Sequence, residues 1–219
     1  MHAIYPFVSG PLLWVAAIVC IGGCLWRLVA LLRLVHRQEP FIYSYMSLKY
    51  GLRSIGHWIV PFGTTNWRRH PWLTLVTFAF HLCLLAAPLF VMAHVLLFRE
   101  AWGFAWPSLP DAAADAMTVV VMAGAVFFLV RRILRPEVRF VTSISDYVLL
   151  AIVAAPFVTG FIAYHQLFAY PWMMILHVLA GEILLVAIPF TRLVHMLFAP
   201  LTRAYMGSEF GAVRHAIDW

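Results

Sequence analysis

The sequence predicts an all-α membrane protein, a bundle of five transmembrane helices, and three observations predict it. Hydrophobic residues make up 64% of the chain and charged residues 11%, with a mean hydropathy of +0.90, more apolar side chain than the interior of a soluble domain needs. The apolar residues gather into five runs of the length required to cross a hydrocarbon core of ~30 Å. The basic residues collect in the connections on one side of those runs, as the positive-inside rule requires of a multi-pass protein.

In chain order the spans are expected at about Pro11–Leu34, Pro71–Phe98, Ala112–Val130, Ser145–Phe168 and Pro171–Pro200. The amino terminus has no basic region ahead of its apolar run, so that run is expected to stay as a span and not to be cleaved as a signal peptide. Of the 15 Lys and Arg residues, only Arg99 falls opposite the connections 35–70 and 131–144 and the tail after Pro200. The amino terminus is therefore expected in the periplasm and the carboxyl terminus in the cytoplasm of a bacterial inner membrane. The basic balance reflects this topology, and nucleic-acid binding is not expected. The connection 35–70 mixes aromatics with Lys49, Arg53, Arg68 and Arg69 and reads as an interfacial amphipathic segment, either a plain membrane-surface loop or a docking surface for a cytoplasmic subunit. The outer connection Arg99–Asp111, with Trp102, Trp106, Pro107 and Pro110, suits an aromatic belt. No internal repeat is apparent, and 1–219 reads as a single membrane domain.

Histidine carries the chemistry. An imidazole inside hydrocarbon is costly and marks function more often than chance, and it is a common metal ligand, including the axial ligand of haem iron. The fifth run holds His177 and His195, 18 residues apart; on one continuous helix that is about five turns, placing both rings on one face at depths about 27 Å apart. The second run holds His81 and His94, with His70 at its entrance beside Arg68 and Arg69. Depth matches His94 to His177 and His81 to His195. A rival pairing sets His81 with His177 and His70 with His195: on an ideal helix His70 and His81 project only about 20° apart, and His81 and His94 about 140°. Pro88, lying between His81 and His94, can bend or rotate that helix. The three cysteines fall within spans, and neither C-x-x-C-H nor a C-x-x-C cluster is present, which excludes the usual covalent c-type haem attachment and cysteine-ligated iron–sulfur centres.

Phe80-His81 and His94 in the second of five runs, with His177 and His195 in the fifth, resemble the γ subunit of respiratory nitrate reductase. FHLCLLAAPLFVMAHVLL gives a nearer likeness to the cytochrome b subunits of the Dsr, Hmc and Tmc electron-transfer complexes of sulfate-reducing bacteria. The spacing of His81 and His94 is wider than that of the second-helix histidines in nitrate reductase. The resemblance implies two b-type haems held by His81, His94, His177 and His195, exchanging electrons between menaquinone or menaquinol and partner subunits. Since the chain has no flavin, nucleotide or iron–sulfur motif, electrons leaving the haems would go to another polypeptide, one on each side or one inside. The resemblance implies a cytoplasmic iron–sulfur subunit, alone or with a periplasmic multihaem cytochrome c or iron–sulfur subunit.

Other residues fit around this reading. Arg27 and Arg192, near the cytoplasmic ends of the first and fifth runs, could pair with haem propionates or simply snorkel to headgroups. Glu182, the only carboxylate well inside a predicted span, could take a proton from quinol or rest protonated against another helix. His165 and Tyr164, closing the fourth run, are quinone or proton candidates, or ordinary interfacial residues. His2, His36, His57 and His215 need no cofactor. No catalytic residue is assigned, and the chain reads as an electron-transfer subunit of an oxidoreductase complex. The other function class is a non-redox membrane anchor or a transporter-like bundle; the lack of repeats and the scarcity of carboxylates in the spans weigh against a transporter.

Overall fold

A computed structural model describes residues 4–219; Met1–Ala3, and His2 with them, lie outside the described residues. The described chain is helical, without a strand, and five of its helices are long and apolar enough to cross a membrane: Ile4–Gln38, Pro71–Phe90, Asp111–Leu134, Ile144–Tyr164 and Tyr170–Phe190. The principal helices are α1 (Leu13–Gln38), α2 (Leu48–Ile59), α3 (Pro71–Phe90), α4 (Met92–Trp102), α5 (Asp111–Leu134), α6 (Ile144–Tyr164), α7 (Tyr170–Phe190) and α8 (His195–Ser208). They fall into two compact units, one of the residues through Ser9 with Val76–Leu184, the other of Gly10–Leu75 with Leu185–Trp219.

The expected second and fifth spans are each broken. The second ends at Phe90, and Val91 is extended (φ −67°, ψ 134°) before α4 begins. The fifth ends at Phe190, Thr191 is extended (φ −127°, ψ −174°), and the chain turns through a short 3₁₀ segment, Arg192–Val194, into α8. A single helix over Pro171–Pro200 is therefore incorrect: α8 continues through Pro200 to Ser208, and the five-turn argument that set His177 and His195 on one face does not hold. His70 likewise does not share a continuous helix with His81, so the two do not have the projection of about 20° expected of them. His70 is not on α3 but caps the short helix Thr65–Arg69 (φ −125°, ψ 64°), its carbonyl accepting from the Thr74 amide at 2.9 Å and the Thr74 hydroxyl at 2.9 Å.

In the first unit, Phe80 ties α3 to α5. Its ring is buried beside Gly124, where a Cβ would come within 2.7 Å of Phe80 Cδ2, and meets Phe128 edge-on with centroids 5.2 Å apart. Small residues at such a crossing let helices approach closely where hydrocarbon solvent gives little other drive to associate. Val121, fully buried, and Ala125 continue the α5 contact face, and Val153 and Ala163 bury on α6. Helix α6 begins with a capping box, Ser143 with Asp146.

In the second unit, the amphipathic segment α2 packs on α8 through glycines. Added Cβ atoms at Gly207 and Gly211 would fall 2.5 Å from Ser54 Cβ and 2.3 Å from Tyr50 Cδ1. Ser54, buried between these helices, bonds Asp218, which also pairs with Arg203. Arg203 in turn lies 4.3 Å over the Trp58 ring, and Trp219 stacks on His57 at 3.9 Å. The outward side of α2 presents Leu48, Leu52 and Ile59, all strongly exposed. Apolar side chains in that position suit a helix lying in a membrane interface.

Candidate haem-ligating site

The break at Val91 builds the site, because ending a helix leaves its last carbonyls without partners. Among the last four of α3, Ala87 is satisfied locally by the Val91 amide at 3.0 Å. Phe90 accepts from the Leu109 amide at 2.8 Å, and Leu89 from the Trp106 indole at 2.7 Å. That leaves Pro88, whose carbonyl accepts from His94 Nδ1 at 2.7 Å. The connection Arg99–Asp111 thus stitches down the helix end, and the remaining carbonyl orients a histidine. Beyond α4 the chain reverses at Gly103, whose left-handed conformation (φ 74°) costs glycine little.

His177, half-buried on α7, is oriented in the same manner by another helix: its Nδ1 donates to the Pro156 carbonyl of α6 at 2.9 Å. Gly160, one turn further along α6, makes room for the ring, since a Cβ there would stand 2.8 Å from Cε1 and 2.9 Å from Nδ1. The His94 and His177 rings face each other with centroids 5.9 Å apart and planes 20° from parallel. With both Nδ1 atoms donating to carbonyls, Nε2 of each neutral ring carries the lone pair, the tautomer a metal requires, and such bonds hold a ligand imidazole in orientation. Two neighbouring imidazoles, each with Nδ1 bound to a carbonyl, are a donor set of the kind that ligates haem iron. Among the described residues no group of three or more His, Cys, Asp or Glu side chains gathers into a site built from protein ligands alone.

His81 and His195 show the same local arrangement in their own surroundings. His81 Nδ1 donates to the Thr77 carbonyl at 2.8 Å, with the neighbouring Phe80 ring locking that turn of α3 against α5. His195 is the first residue of α8, and its Nδ1 donates to the Arg192 carbonyl at 2.9 Å. The Thr191 hydroxyl fixes this corner, donating to the Ala187 carbonyl at 2.7 Å and accepting from the Leu193 amide at 3.2 Å.

The remaining expected residues are placed as follows. Arg27 on α1 lies 5.5 Å over the Phe198 ring, its Nε buried with no hydrogen-bond partner among the described residues. Arg192 is exposed and opens the 3₁₀ turn that leads to His195. Glu182 is 4% exposed on α7, and neither carboxylate oxygen has a partner among the described residues. Tyr164 and His165 close α6, as expected, and the structure adds their partners from α5: His165 Nε2 meets the Asp115 carboxylate at 3.2 Å, and Tyr164 lies against Asp111. Asp115 was not among the residues expected at a site. Its signal was present as a second acid one turn after Asp111 at the start of a span, although one acid pair in a sequence points to no particular partner. Gly160 and the Pro156 carbonyl left no signal, because their role lies in a helix–helix contact.

The model of the family described as nitrate reductase gamma subunit matches residues 163–216, which take in His177, Glu182, Arg192 and His195. A protein of Nitratidesulfovibrio vulgaris (strain Hildenborough) is 36% identical over 214 residues, covering 96% of this chain and 95% of the relative. The chain belongs to the nitrate reductase gamma-like family. Its five apolar helices and this membership make it a multi-pass membrane protein. The family is one of membrane cytochrome b-type electron-transfer subunits.

Proposed function

We propose that this chain is the di-haem cytochrome b subunit of a respiratory redox complex of the bacterial inner membrane, exchanging electrons between menaquinone or menaquinol and partner redox subunits. The observation that carries the reading is the facing His94–His177 pair, 5.9 Å between centroids, with each Nδ1 bound to a carbonyl. His94 and His177 would hold one haem, and His81 and His195 are the residues available for the second. Haem b, when bound, would supply one-electron transfer. The carbonyls of Pro88, Pro156, Thr77 and Arg192 orient the four rings and place the proton of the neutral imidazole on Nδ1, so that Nε2 is the nitrogen each would offer to a metal. Arg27 and Arg192 supply guanidinium groups for propionates.

The chain's own part in quinol chemistry is proton handling. His165, oriented by Asp115, and Tyr164, against Asp111, sit at the outer end of α6, about five residues or 7.5 Å along the axis from Gly160 and the His177 ring beside it. Glu182, buried on α7, is a second acceptor. Electrons would pass to or from a cytoplasmic iron–sulfur subunit, alone or together with a periplasmic multihaem cytochrome c or iron–sulfur subunit. The likeness to the Dsr, Hmc and Tmc complexes supports partners of this kind.

The test is spectroscopic. A dithionite-reduced minus oxidised spectrum of the purified subunit should show a b-type α band, and a pyridine haemochrome assay two haems per chain. His94→Ala and His177→Ala should remove one and the same spectral component, and His81→Ala and His195→Ala the other. A colourless protein, or a single haem, would defeat the di-haem reading.

A further inference from the structure

The second unit holds a groove of about 340 Å³ that the redox reading does not use, lined by Val29, Leu32, Arg33, His36, Arg37 and Tyr43. Its walls are the last turns of α1 and the short helix Ile42–Tyr45 that follows the turn at Glu39. The continuous apolar helix Ile4–Gln38 has 35 residues, about 52 Å at 1.5 Å per residue, so it outruns a hydrocarbon core of ~30 Å and its end must enter the headgroup layer.

The lining is ordered along that axis. Val29 and Leu32 lie on the hydrocarbon side, Arg33 follows, and His36 and Arg37 lie one turn further out; spacings of three and four residues keep all of them on one helix face. Tyr43 closes the groove, its ring 6.3 Å from that of His36. No carboxylate lines it: Glu39, two residues past Arg37, is the nearest acid in the chain and is outside the lining. Among the described residues neither Arg33 nor Arg37 makes an ion pair. The nearby α2 presents Leu48, Leu52 and Ile59 outward, a face that acyl chains would cover.

We propose that this groove seats one anionic phospholipid, its phosphodiester between Arg33, His36 and Arg37 and an acyl chain along Val29 and Leu32. Charge complementarity selects the occupant: two guanidinium groups without an acidic partner face a cleft whose floor is apolar, and arginine favours the bidentate geometry of a phosphate. A free phosphate would leave the apolar floor unfilled. A zwitterionic lipid would bring its own ammonium into a basic site. Anionic lipids draw basic side chains near the membrane surface by about 1 kcal/mol each, and basic pockets between helices at that level are common headgroup sites.

The full-length protein would be reconstituted in bilayers of equal parts phosphatidylethanolamine and phosphatidylglycerol, extracted in mild detergent, washed, and its retained lipid counted by native mass spectrometry. The wild type should keep phosphatidylglycerol in preference. Removing both charges with Arg33→Gln and Arg37→Gln should reduce the retained anionic lipid roughly 30-fold. Both side chains are exposed, so the variant is expected to fold, and its haem content and helicity can verify this. The matched double variant Arg131→Gln, Arg132→Gln, at the end of α5, removes the same charge and should retain lipid like the wild type. Equal loss in both double variants, retention of the two lipids in the bilayer ratio, or displacement by glycerol phosphate lacking acyl chains would each overturn the proposal.

Discussion

Two corners of the chain place a histidine just beyond a break in a membrane helix, and they are held differently. At the first, Val91 interrupts the run three residues after Pro88, and His94 follows by three. At the second, Thr191 interrupts it two residues after Pro189, and His195 follows by four. The carbonyls freed at the first corner are collected by groups further along the chain, Trp106 and Leu109 of the connection Arg99–Asp111 and the His94 ring. At the second, the Thr191 hydroxyl serves a carbonyl four residues back and an amide two residues ahead, and the turn closes on itself. In hydrocarbon a freed backbone group has no water to turn to, so each break exists only because its partners do. One corner is fixed by tertiary structure and the other by its own sequence. Damage should therefore spread further from the first.

The largest effect is expected where the first corner's histidine meets its partner. Gly160→Val places branched carbon where a single Cβ is already 2.8 Å from the His177 ring, while the ring is tied to the same helix by its Nδ1 bond to the Pro156 carbonyl. Contacts that short force the imidazole out of position or the helices apart, at a cost of about 1–3 kcal/mol and sometimes more. On the di-haem reading the haem content should fall from two per chain to one, with loss of the spectral component that His177→Ala removes. Gly22→Val, whose Cβ position is open, should change neither. An unaltered stoichiometry in Gly160→Val would separate the His177 position from haem binding.

Trp106→Phe probes the same corner from further away. It keeps an aromatic side chain in the outer connection but deletes the donor to the Leu89 carbonyl, a bond of 2.7 Å. An acceptor stranded in an apolar setting costs about 1–3 kcal/mol. The expected result is a lower melting temperature in detergent together with faster release of the haem assigned to His94 and His177, the other haem being retained. If both haems leave at the wild-type rate, the outer connection does not support the His94 corner.

The comparison also explains what the sequence could disclose. Five apolar runs, the termination of α6 at Tyr164 and His165, and the approach of His94 to His177 could be read from length and depth alone, because hydrocarbon thickness fixes how far along a helix a residue lies. The breaks could not be read. Pro88 and Pro189 were visible, but a proline inside a membrane helix is tolerated when neighbours re-satisfy the backbone, so neither says where the helix stops. Val91 stops it because an indole fifteen residues later takes the Leu89 carbonyl. Treating Pro171–Pro200 as one helix gave His177 and His195 a shared face that the turn at Thr191 removes. The depth argument for His94 survived its own helix break because α4 continues the chain beyond Val91. The angular argument for His70 assumed a helix that begins only at Pro71.

The smallest effect is expected at the second corner, from Thr191→Val. The substitution keeps the branched shape and its tolerance for the extended backbone at Thr191, and removes only the hydroxyl that accepts from the Leu193 amide at 3.2 Å and donates to the Ala187 carbonyl at 2.7 Å. Losing a threonine cap costs about 1 kcal/mol. The Val194 amide still bonds the Thr191 carbonyl at 3.2 Å, and His195 Nδ1 still has the Arg192 carbonyl at 2.9 Å. Both haems should therefore remain, with a small drop in melting temperature and a modest shift in the midpoint potential of the haem assigned to His81 and His195, as its ligand orientation loosens. Thr191→Ser, which restores the hydroxyl, should return the potential toward the wild type. Loss of that haem outright in Thr191→Val would mean that the corner carries far more than a local cap, and the contrast between a locally fixed and a tertiary corner would fail. A shift in the other haem's potential with none in this one would instead count against His195 as its ligand.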